Sequence, residues 1–245
     1  SIDTAKAIGI IINNPEFEDV RSLEGVAPTK NKCVPIIAVP TTAGTAAEVT
    51  INYVITDAEK NRKFVCVDTN DIPVVAIVNP DMMESMPKGL TAATGMDALT
   101  HAIEGLITRG AWEMSDMFHI KAIELISKHL RGAVENTKEG REGMALGQYI
   151  AGMGFSNVGL GIVHSMAHKT GAAFSTGHIP HGCANAIYLP YVIKYNAHEP
   201  EAMHRYADIA RRVGLGGTSE KAQVNALIAK IEEFNRAMNI PKTLQ

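Results

Sequence analysis

The chain of 245 residues is 46% hydrophobic and 20% charged and has a formal net charge of −3, a composition typical of a globular protein. Because 23 Lys and Arg nearly balance 26 Asp and Glu, the sequence offers no basic field for nucleic acid or for an anionic membrane surface. It has no apolar run of the roughly 20 residues that span a bilayer, no signal-peptide pattern, and three scattered cysteines, too few for a disulfide framework. We therefore expect a cytoplasmic protein without nucleic-acid or membrane partners.

The first residues predict the start of a helix. Ser1 suits the N-cap, and Asp3 lies in the first turn, where the helix dipole favours an anion. A capped helix at the very beginning favours the interpretation that the chain is an interior segment of a longer protein.

Four strands are predicted before Pro87. Two short apolar runs are typical of strands buried on both faces, and two β-branched runs separated by polar residues predict a hairpin. The runs of the buried type are residues 34–40 and 74–78, and those of the hairpin are residues 50–56 and 63–68. We interpret residues 1–87 as an α/β domain.

Helical spacing of apolar residues replaces the β-branched runs after Pro87. The seven predicted helices are residues 90–107, 114–135, 142–157, 161–174, 181–195, 199–213 and 218–238. The boundary falls at the Met86-Pro87 step, because a residue before proline disfavours the helical conformation. Residues 88–245 are therefore predicted to form an all-helical domain.

A loop rich in hydroxyl groups, residues 40–49, follows the first predicted strand. It contains Thr41, Thr42, Gly44 and Thr45. Ligands of open α/β sheets bind beyond the carboxyl ends of strands, where free backbone amides suit an anion or a nucleotide. An ordinary polar turn is the alternative interpretation. The loop is not a Walker motif, because no Gly-Lys-Ser/Thr follows.

Asp97 and His101 lie four residues apart in a predicted helix. This spacing places both side chains on one helix face, close enough to bind one ion. A surface hydrogen bond is the more common explanation of such a pair. Here small and apolar residues surround the pair, and a buried charge requires a partner or a metal. That setting favours a metal site.

Four of the nine histidines, His164, His168, His178 and His181, lie close together in the sequence. A single histidine of this kind is ordinarily a core or surface residue whose ring nitrogens have ordinary hydrogen-bond partners. Combined with the aspartate–histidine pair of the earlier helix, they offer imidazoles and one carboxylate, which suit Zn²⁺ or Fe²⁺ better than Ca²⁺ or Mg²⁺. We infer that the α/β part holds a phosphate-bearing cofactor and the helical part a metal, with substrate in the cleft between them.

These segments together resemble the iron-containing (group III) alcohol dehydrogenases. Residues 1–3 are similar to the end of the family's glycine-rich cofactor loop, and residues 40–48 to its second cofactor loop. Residues 93–104 and 159–181 are similar to its two metal-binding segments. The resemblance covers the whole chain. It implies a fold like that of dehydroquinate synthase, in which a partial Rossmann-like N-terminal domain precedes a helical metal-binding domain.

The resemblance implies a role for each residue that matches the family's motifs. Asp97, His101, His164 and His181 would hold Fe²⁺ or Zn²⁺, and His168 would relay a proton beside the nicotinamide. The sequence leaves NAD(H) or NADP(H) open, although the resemblance favours NAD(H). The residues that would bind this cofactor are Ser1, Asp3, Thr41, Thr42, Gly44 and Thr45, flanked by Thr50, Lys63 and Met82. The residues that would shape the substrate pocket are Asn52 and Phe155.

The implied activity is a metal-dependent interconversion of short aldehydes with alcohols or diols, of the lactaldehyde/1,2-propanediol type, by hydride transfer. The resemblance to that subgroup is carried by residues 22–25, 41–57 and 147–161, and it implies a homo-oligomer, a dimer or larger. One alternative is a zinc glycerol or butanol dehydrogenase of the same fold. Another is a truncated, non-catalytic segment that binds metal or acts as an oligomer subunit.

Two features depart from the family's pattern. The segment between His168 and His181 is longer than in that subgroup, and residues 175–177 are interpreted as a loop insertion, so the pocket wall is expected to differ. His178 is a competing metal ligand, but the Ile-Pro-His-Gly context favours His181. The family's glycines before residue 1 and its helices after residue 245 lie outside the chain. We therefore expect a half-built nucleotide site and exposed sheet edges.

Overall fold

A computed structural model of the protein describes residues 1–60, 62–173 and 179–243. The elements that precede residue 87 are α1 (Ile2–Asn13), β1 (Ile37–Ala38), β2 (Asn52–Asp57), β3 (Arg62–Val67) and β4 (Val75–Ala76). The elements that follow are α2 (Lys88–Ile107), α3 (Glu113–Val134), α4 (Lys138–Val158), α5 (Ile162–Ala173), α6 (His181–Asn196), α7 (Pro200–Arg212) and α8 (Glu220–Ala237). The predicted change from mixed to helical structure is confirmed, because the described residues after β4 form no strand.

The helices begin where their first residues satisfy free backbone N–H groups. Ser1 accepts a hydrogen bond from the Thr4 amide, which confirms the predicted N-cap of α1. Thr137 and Ser219 cap α4 and α8 in the same way, each cap contributing about 1 kcal/mol. Among the helices that the structure describes, none combines the length and apolarity needed to cross a bilayer.

The predicted hairpin is confirmed. Strands β2 and β3 pair antiparallel, with Tyr53 opposite Cys66. Helix α1 is attached to this hairpin through Lys6, whose buried ammonium group donates hydrogen bonds to the backbone carbonyls of Thr50 and Asn52. The start of α1 therefore lies beside the strand that leads into the hairpin.

Strands β1 and β4 form a separate parallel pair, with Ile37 opposite Val75. The prediction that both strands are buried on two faces is wrong, because Ile37 is 64% exposed and Val75 is 45% exposed. Ala38 is only 2% exposed, and alternate residues of a strand face opposite sides. Within the described residues the two-stranded sheet is therefore covered on one face alone.

Two clusters of buried apolar side chains hold the elements together. The smaller cluster joins α1 to the hairpin and contains Ala7, Ile10, Leu23, Tyr53, Phe64 and Cys66. The larger cluster runs through the helices that follow residue 87 and also includes Ala43, Met83 and Met86 from before it. The loop after β1 and the turn before α2 thus pack into the helical core. This packing places the ends of the strands against the helices that carry the predicted metal ligands.

His119 of α3 is buried against glycines of the two neighbouring helices. A Cβ added at Gly105 of α2 would lie 2.2 Å from its Nε2, and one at Gly154 of α4 would lie 2.4 Å from it. Neither ring nitrogen has a hydrogen-bond partner among the described residues. Burial lowers the pKa of His119 to about 4, so the folded protein keeps this imidazole neutral.

We expect His119→Leu to reduce the loss of stability on acidification. Between the ordinary pKa of histidine, about 6.5, and the lowered value, the unfolded chain binds a proton that folded His119 does not, so stability falls as the pH drops through this range, by on the order of 3 kcal/mol. Leucine has a similar size and does not titrate. The measurement is the free energy of unfolding in urea at pH 7 and pH 4.5, on metal-free protein. His198→Leu, at an exposed histidine, is the control, and an unchanged pH dependence in His119→Leu would contradict the prediction.

Candidate metal centre and adjoining cleft

Helix α2 presents Asp97 and His101 on its buried face. The two residues are 3% and 5% exposed, and the small and apolar side chains around them are buried as well, as the sequence predicted. Close approach of other helices is possible here because the face of α2 is rich in alanine and glycine. At Gly182, the second residue of α6, an added Cβ would lie 1.9 Å from the carbonyl oxygen of Ala93 in α2. This contact brings the start of α6 directly against α2.

Helices α5 and α6 bring two more imidazoles to the same place. The ligand atoms of Asp97, His101 and His164 lie within 4.8 Å of one another. His181 Nε2 lies 3.6 Å from Asp97 Oδ1, and the rings of His101 and His164 stack with their centroids 4.3 Å apart. The four residues predicted to bind metal are therefore brought together, from three helices.

Asn185 shows that these atoms point to one position. Its amide Nδ2 lies 2.6 Å from Asp97 Oδ1, 3.1 Å from His164 Nε2 and 3.3 Å from His181 Nε2. A single electropositive group is thus surrounded by a carboxylate oxygen and two imidazole nitrogens. One carboxylate and three imidazoles are also the donor types that Fe²⁺ and Zn²⁺ accept. The residues present therefore fit a divalent transition metal.

The titration behaviour of the cluster follows from burial and mutual attraction. Burial raises the pKa of Asp97, but His101, His181 and His164 outweigh it and hold that pKa below its usual range. Burial lowers the pKa of His101 to about 3 and also lowers the pKa of His181. Burial opposes the charge of His164 as well, but hydrogen bonds to Asp97 and Glu104 raise its pKa to about 9. At neutral pH Asp97 is therefore ionised and His101 and His181 are neutral, whereas His164 keeps a proton that a bound metal ion would displace.

Sequence reasoning assigned no role to two residues of this cluster, Glu104 and Asn185. Glu104 Oε2 lies 2.7 Å from His164 Nδ1, and Asn185 is fully buried at the centre of the cluster. Helical spacing would have found both. Glu104 lies seven residues after Asp97, which is the same face of α2, and Asn185 lies four residues after His181 on α6.

A cleft of about 450 Å³ adjoins the metal centre and is lined by residues from both parts of the chain. The predicted cofactor and substrate residues that line it are Asp3, Thr45, Thr50, Lys63, Asn52 and Phe155. The cleft is also lined by Asp97, His101, His164, His168 and His181. The loop after β1 is held in place at the cleft because Glu48 accepts a 2.5 Å hydrogen bond from Gln148 of α4.

The other predicted cofactor residues do not line this cleft. Ser1 and Thr41 are exposed, Thr42 is half-buried, and Met82 is 47% exposed. Gly44 is buried against α2, where an added Cβ would lie 2.7 Å from the backbone oxygen of Thr94. Glycine is therefore required at this position for packing. The competing ligand His178 and the insertion at residues 175–177 lie outside the described residues.

His168 lines the cleft beside the metal centre, one turn after His164 on α5. Its ring stacks on that of His181 with the centroids 4.7 Å apart. The ordinary pKa of histidine lies near neutrality, and a proton relay is expected at His168 partly for this reason. Instead, burial and the neighbouring His181 lower the pKa of His168 to about 4. The imidazole is therefore neutral at physiological pH, and a pKa this low makes it a weaker proton acceptor than an ordinary histidine.

Comparison with known families agrees with this arrangement. The pattern of the Fe-containing alcohol dehydrogenase family, C-terminal region, matches residues 91–245. The pattern named iron-containing alcohol dehydrogenase matches residues 1–80. The chain belongs to the iron-containing alcohol dehydrogenase family, as its motifs predicted.

The lactaldehyde reductase of Escherichia coli (strain K12) is 61% identical over 246 residues, which cover 99% of this chain and 63% of that protein. The NADPH-dependent butanol dehydrogenase of Clostridium saccharobutylicum is 48% identical and is covered to 62%. The predicted resemblance to the lactaldehyde reductase subgroup is confirmed by the first of these values. The chain spans about 63% of the length of that curated relative.

Solved structures of the family share the fold. A 1,3-propanediol oxidoreductase superposes with a TM-score of 0.91 at 41% identity, covering 99% of this chain and 63% of that one. A sulfoacetaldehyde reductase from Bifidobacterium kashiwanohense, in complex with NAD+, superposes with a TM-score of 0.84 at 31% identity, covering 99% and 62%. The predicted fold class, α/β followed by all-α, is therefore confirmed.

Proposed function

We propose that the protein is an oxidoreductase that interconverts short aldehydes with the corresponding alcohols or 1,2-diols, using NAD(H) and a divalent metal ion. The observation that carries this proposal is the convergence of Asp97, His101, His164 and His181 on one position in the wall of a cleft. The identity of 61% to a lactaldehyde reductase supports the choice of substrate. The NAD+ complex of a structural relative supports the choice of cofactor.

The metal ion would be held by Asp97, His101, His164 and His181. When bound, it supplies a Lewis acid that stabilises negative charge on the oxygen of a substrate. The protein's own contribution is to keep three of these four side chains in the protonation state that binds metal. Asp97 stays ionised, and the depressed pKa values of His101 and His181 keep both imidazoles in the neutral form that binds metal.

The cofactor would lie along the cleft wall formed by Asp3, Thr45, Thr50 and Lys63. When bound, its nicotinamide supplies or accepts a hydride. Asp3 is fixed there because its Oδ2 accepts a hydrogen bond of 3.0 Å from the Val54 amide. The assignment of Ser1, Thr41, Thr42, Gly44 and Met82 to the same cofactor continues to rest on the resemblance alone.

The substrate would occupy the end of the cleft between Phe155, Asn52 and the histidines. Phe155 is buried and stacks on His101 with a centroid distance of 4.3 Å, so it limits the space available to a substrate chain. Oxidation of an alcohol releases a proton, and His168, which lines the same cleft, is the side chain that we assign to accept it. This arrangement suits small, polar substrates.

The direct test is NADH oxidation with lactaldehyde after anaerobic loading with Fe²⁺ or Zn²⁺. Wild-type protein is expected to consume NADH, and His181→Ala is expected to lose at least about 100-fold of this activity, because a metal ligand is gone. His198→Ala, at an exposed histidine, is the matched control. An equally active His181→Ala variant, or a wild type that oxidises no NADH with any short aldehyde, would overturn the proposal.

A longer aliphatic aldehyde is the second candidate substrate, because a butanol dehydrogenase is 48% identical. The ratio of kcat/KM for lactaldehyde and for butanal separates the two. A titration with NADH alone separates both from a non-catalytic metal-binding segment, which would bind metal without binding the nucleotide.

A further inference from the structure

Glu104 is a buried carboxylate at the edge of the metal centre, 6% exposed. Its Oε2 lies 2.7 Å from Nδ1 of His164 and accepts the backbone N–H of the same residue at 3.2 Å. Its Oε1 accepts the backbone N–H of Val163 at 2.7 Å. One side chain of α2 is therefore bonded three times to the first turn of α5.

The bond to the imidazole determines which nitrogen of His164 is free. A carboxylate accepts hydrogen bonds and does not donate them, so in the neutral form that binds metal the His164 ring carries its one hydrogen on Nδ1. Nε2 then keeps its lone pair, and this atom lies 3.5 Å from Asp97 Oδ1 and 3.1 Å from Asn185 Nδ2. The same bond also fixes the plane of the ring, as an acceptor behind a metal-binding histidine commonly does.

Two features of α5 hold the carboxylate in this position. The free N–H groups and the dipole at the start of a helix favour an anion, and Glu104 occupies that place for α5. Gly161, just before the helix, leaves room for it, since an added Cβ there would lie 2.7 Å from Glu104 Oε1. The position of Glu104 is therefore set by the backbone as well as by the imidazole.

We propose that Glu104 is a positioning residue of the metal centre, which holds the His164 imidazole with its hydrogen on Nδ1 and its Nε2 directed to the metal. The inference rests on the proposed function, because it requires a divalent ion held by Asp97, His101, His164 and His181. Glu104 acts through His164 and is not itself a ligand.

Glu104→Gln tests the role with little change in size. A glutamine side chain carries an NH₂ group in place of one carboxylate oxygen. If this NH₂ group faces His164 Nδ1, that nitrogen must accept a hydrogen bond, and the ring then carries its hydrogen on Nε2. We expect the affinity for Co²⁺ alone to fall by about 10- to 100-fold. The measurements are the visible absorption of Co²⁺ titrated into metal-free protein and the ¹⁵N chemical shifts of the His164 ring. The control is Glu142→Gln, at an exposed glutamate of α4.

A double-mutant cycle separates this role from a purely structural one. In a His164→Ala background, Glu104→Gln should leave the remaining Co²⁺ affinity unchanged, because the residue through which it acts is absent. If Glu104→Gln does not fold, Gly161→Ala displaces the same carboxylate and should weaken Co²⁺ binding, whereas Gly89→Ala, whose added Cβ meets nothing within 4 Å, should not.

The result that overturns the inference is a folded Glu104→Gln variant with the Co²⁺ affinity and spectrum of the wild type, or additive effects in the cycle. A wild type that binds no Co²⁺ would overturn the proposed metal centre together with this inference. A wild type that binds Co²⁺, together with a Glu104→Gln variant that binds it equally well, would overturn this inference alone.

Discussion

Asp97→Asn is expected to weaken metal binding strongly and, with it, turnover. Asp97 is the one carboxylate among the four proposed ligands, and its three imidazole neighbours hold its pKa below the usual range despite burial, so it provides the negative charge of the site. Asparagine has the same shape without that charge. We expect the affinity for Zn²⁺ to fall by more than about 100-fold and NADH oxidation to fall by about 10³-fold, because a Lewis acid lowers the barrier by several kcal/mol.

Zn²⁺ affinity is measured by competition with a chromophoric chelator, and turnover by NADH absorbance. Asp81→Asn, at an exposed aspartate outside the site, should match the wild type in both. Metal-free Asp97→Asn should unfold at a lower denaturant concentration than the metal-free wild type, because the pKa of Asp97 lies below its usual range and the substitution removes a charged partner of His164. Tight binding of one Zn²⁺ ion per Asp97→Asn chain would show that Asp97 is not a ligand.

The helical part of the fold was largely predictable from the sequence, because its helices bury one apolar face against a common core. Residues 181–195 were predicted and α6 runs from His181 to Asn196. Helix α4 begins at Lys138, earlier than the predicted residue 142. Its first turn is polar and contains a glycine, so the spacing of apolar residues does not predict that this turn is helical. The N-cap Thr137 marks the true start of the helix.

The strands were less predictable. The apolar runs around β1 and β4 were correctly recognised, but the paired segments are only two residues each, and one face of the sheet is exposed. Local hydrophobicity indicates that a segment can be buried. It does not indicate what lies on each face, since that depends on the position of other elements.

The same limit applies to the candidate site. The four-residue spacing identified Asp97 with His101, and His164 with His168, but only His164 of the second pair points to the metal position together with Asp97 and His101. His168 lines the cleft instead. Helical spacing places Glu104 on the same face of α2 as Asp97, but it does not predict the contact with His164, which is sixty residues away in the sequence. Long-range pairs of this kind depend on how α2, α5 and α6 pack.

An alanine at position 182 is expected to test that packing most directly. The added Cβ would lie 1.9 Å from the oxygen and 2.5 Å from the carbon of the Ala93 carbonyl, and backbone atoms within a helix cannot turn aside as a side chain can. Helices α2 and α6 must therefore move apart, which costs about 3 kcal/mol or more of stability. Because Gly182 adjoins His181 and Ala93 lies one turn before Asp97, the same movement widens the metal centre. We expect Co²⁺ affinity to fall together with the free energy of unfolding.

Both quantities are measured on Gly182→Ala, by urea unfolding of the metal-free protein and by Co²⁺ titration. Gly89→Ala, in the helix α2 against which Gly182 packs, is the control, since its added Cβ meets nothing within 4 Å. Alanine is more favourable than glycine in a helix by about 1 kcal/mol, so this variant should not lose stability. Wild-type stability in Gly182→Ala would contradict the close approach of the two helices. A loss of stability with unchanged Co²⁺ affinity would instead mean that His181 adjusts independently of its helix. A joint loss means that the spacing of α2 and α6 sets the distance between Asp97 and His181.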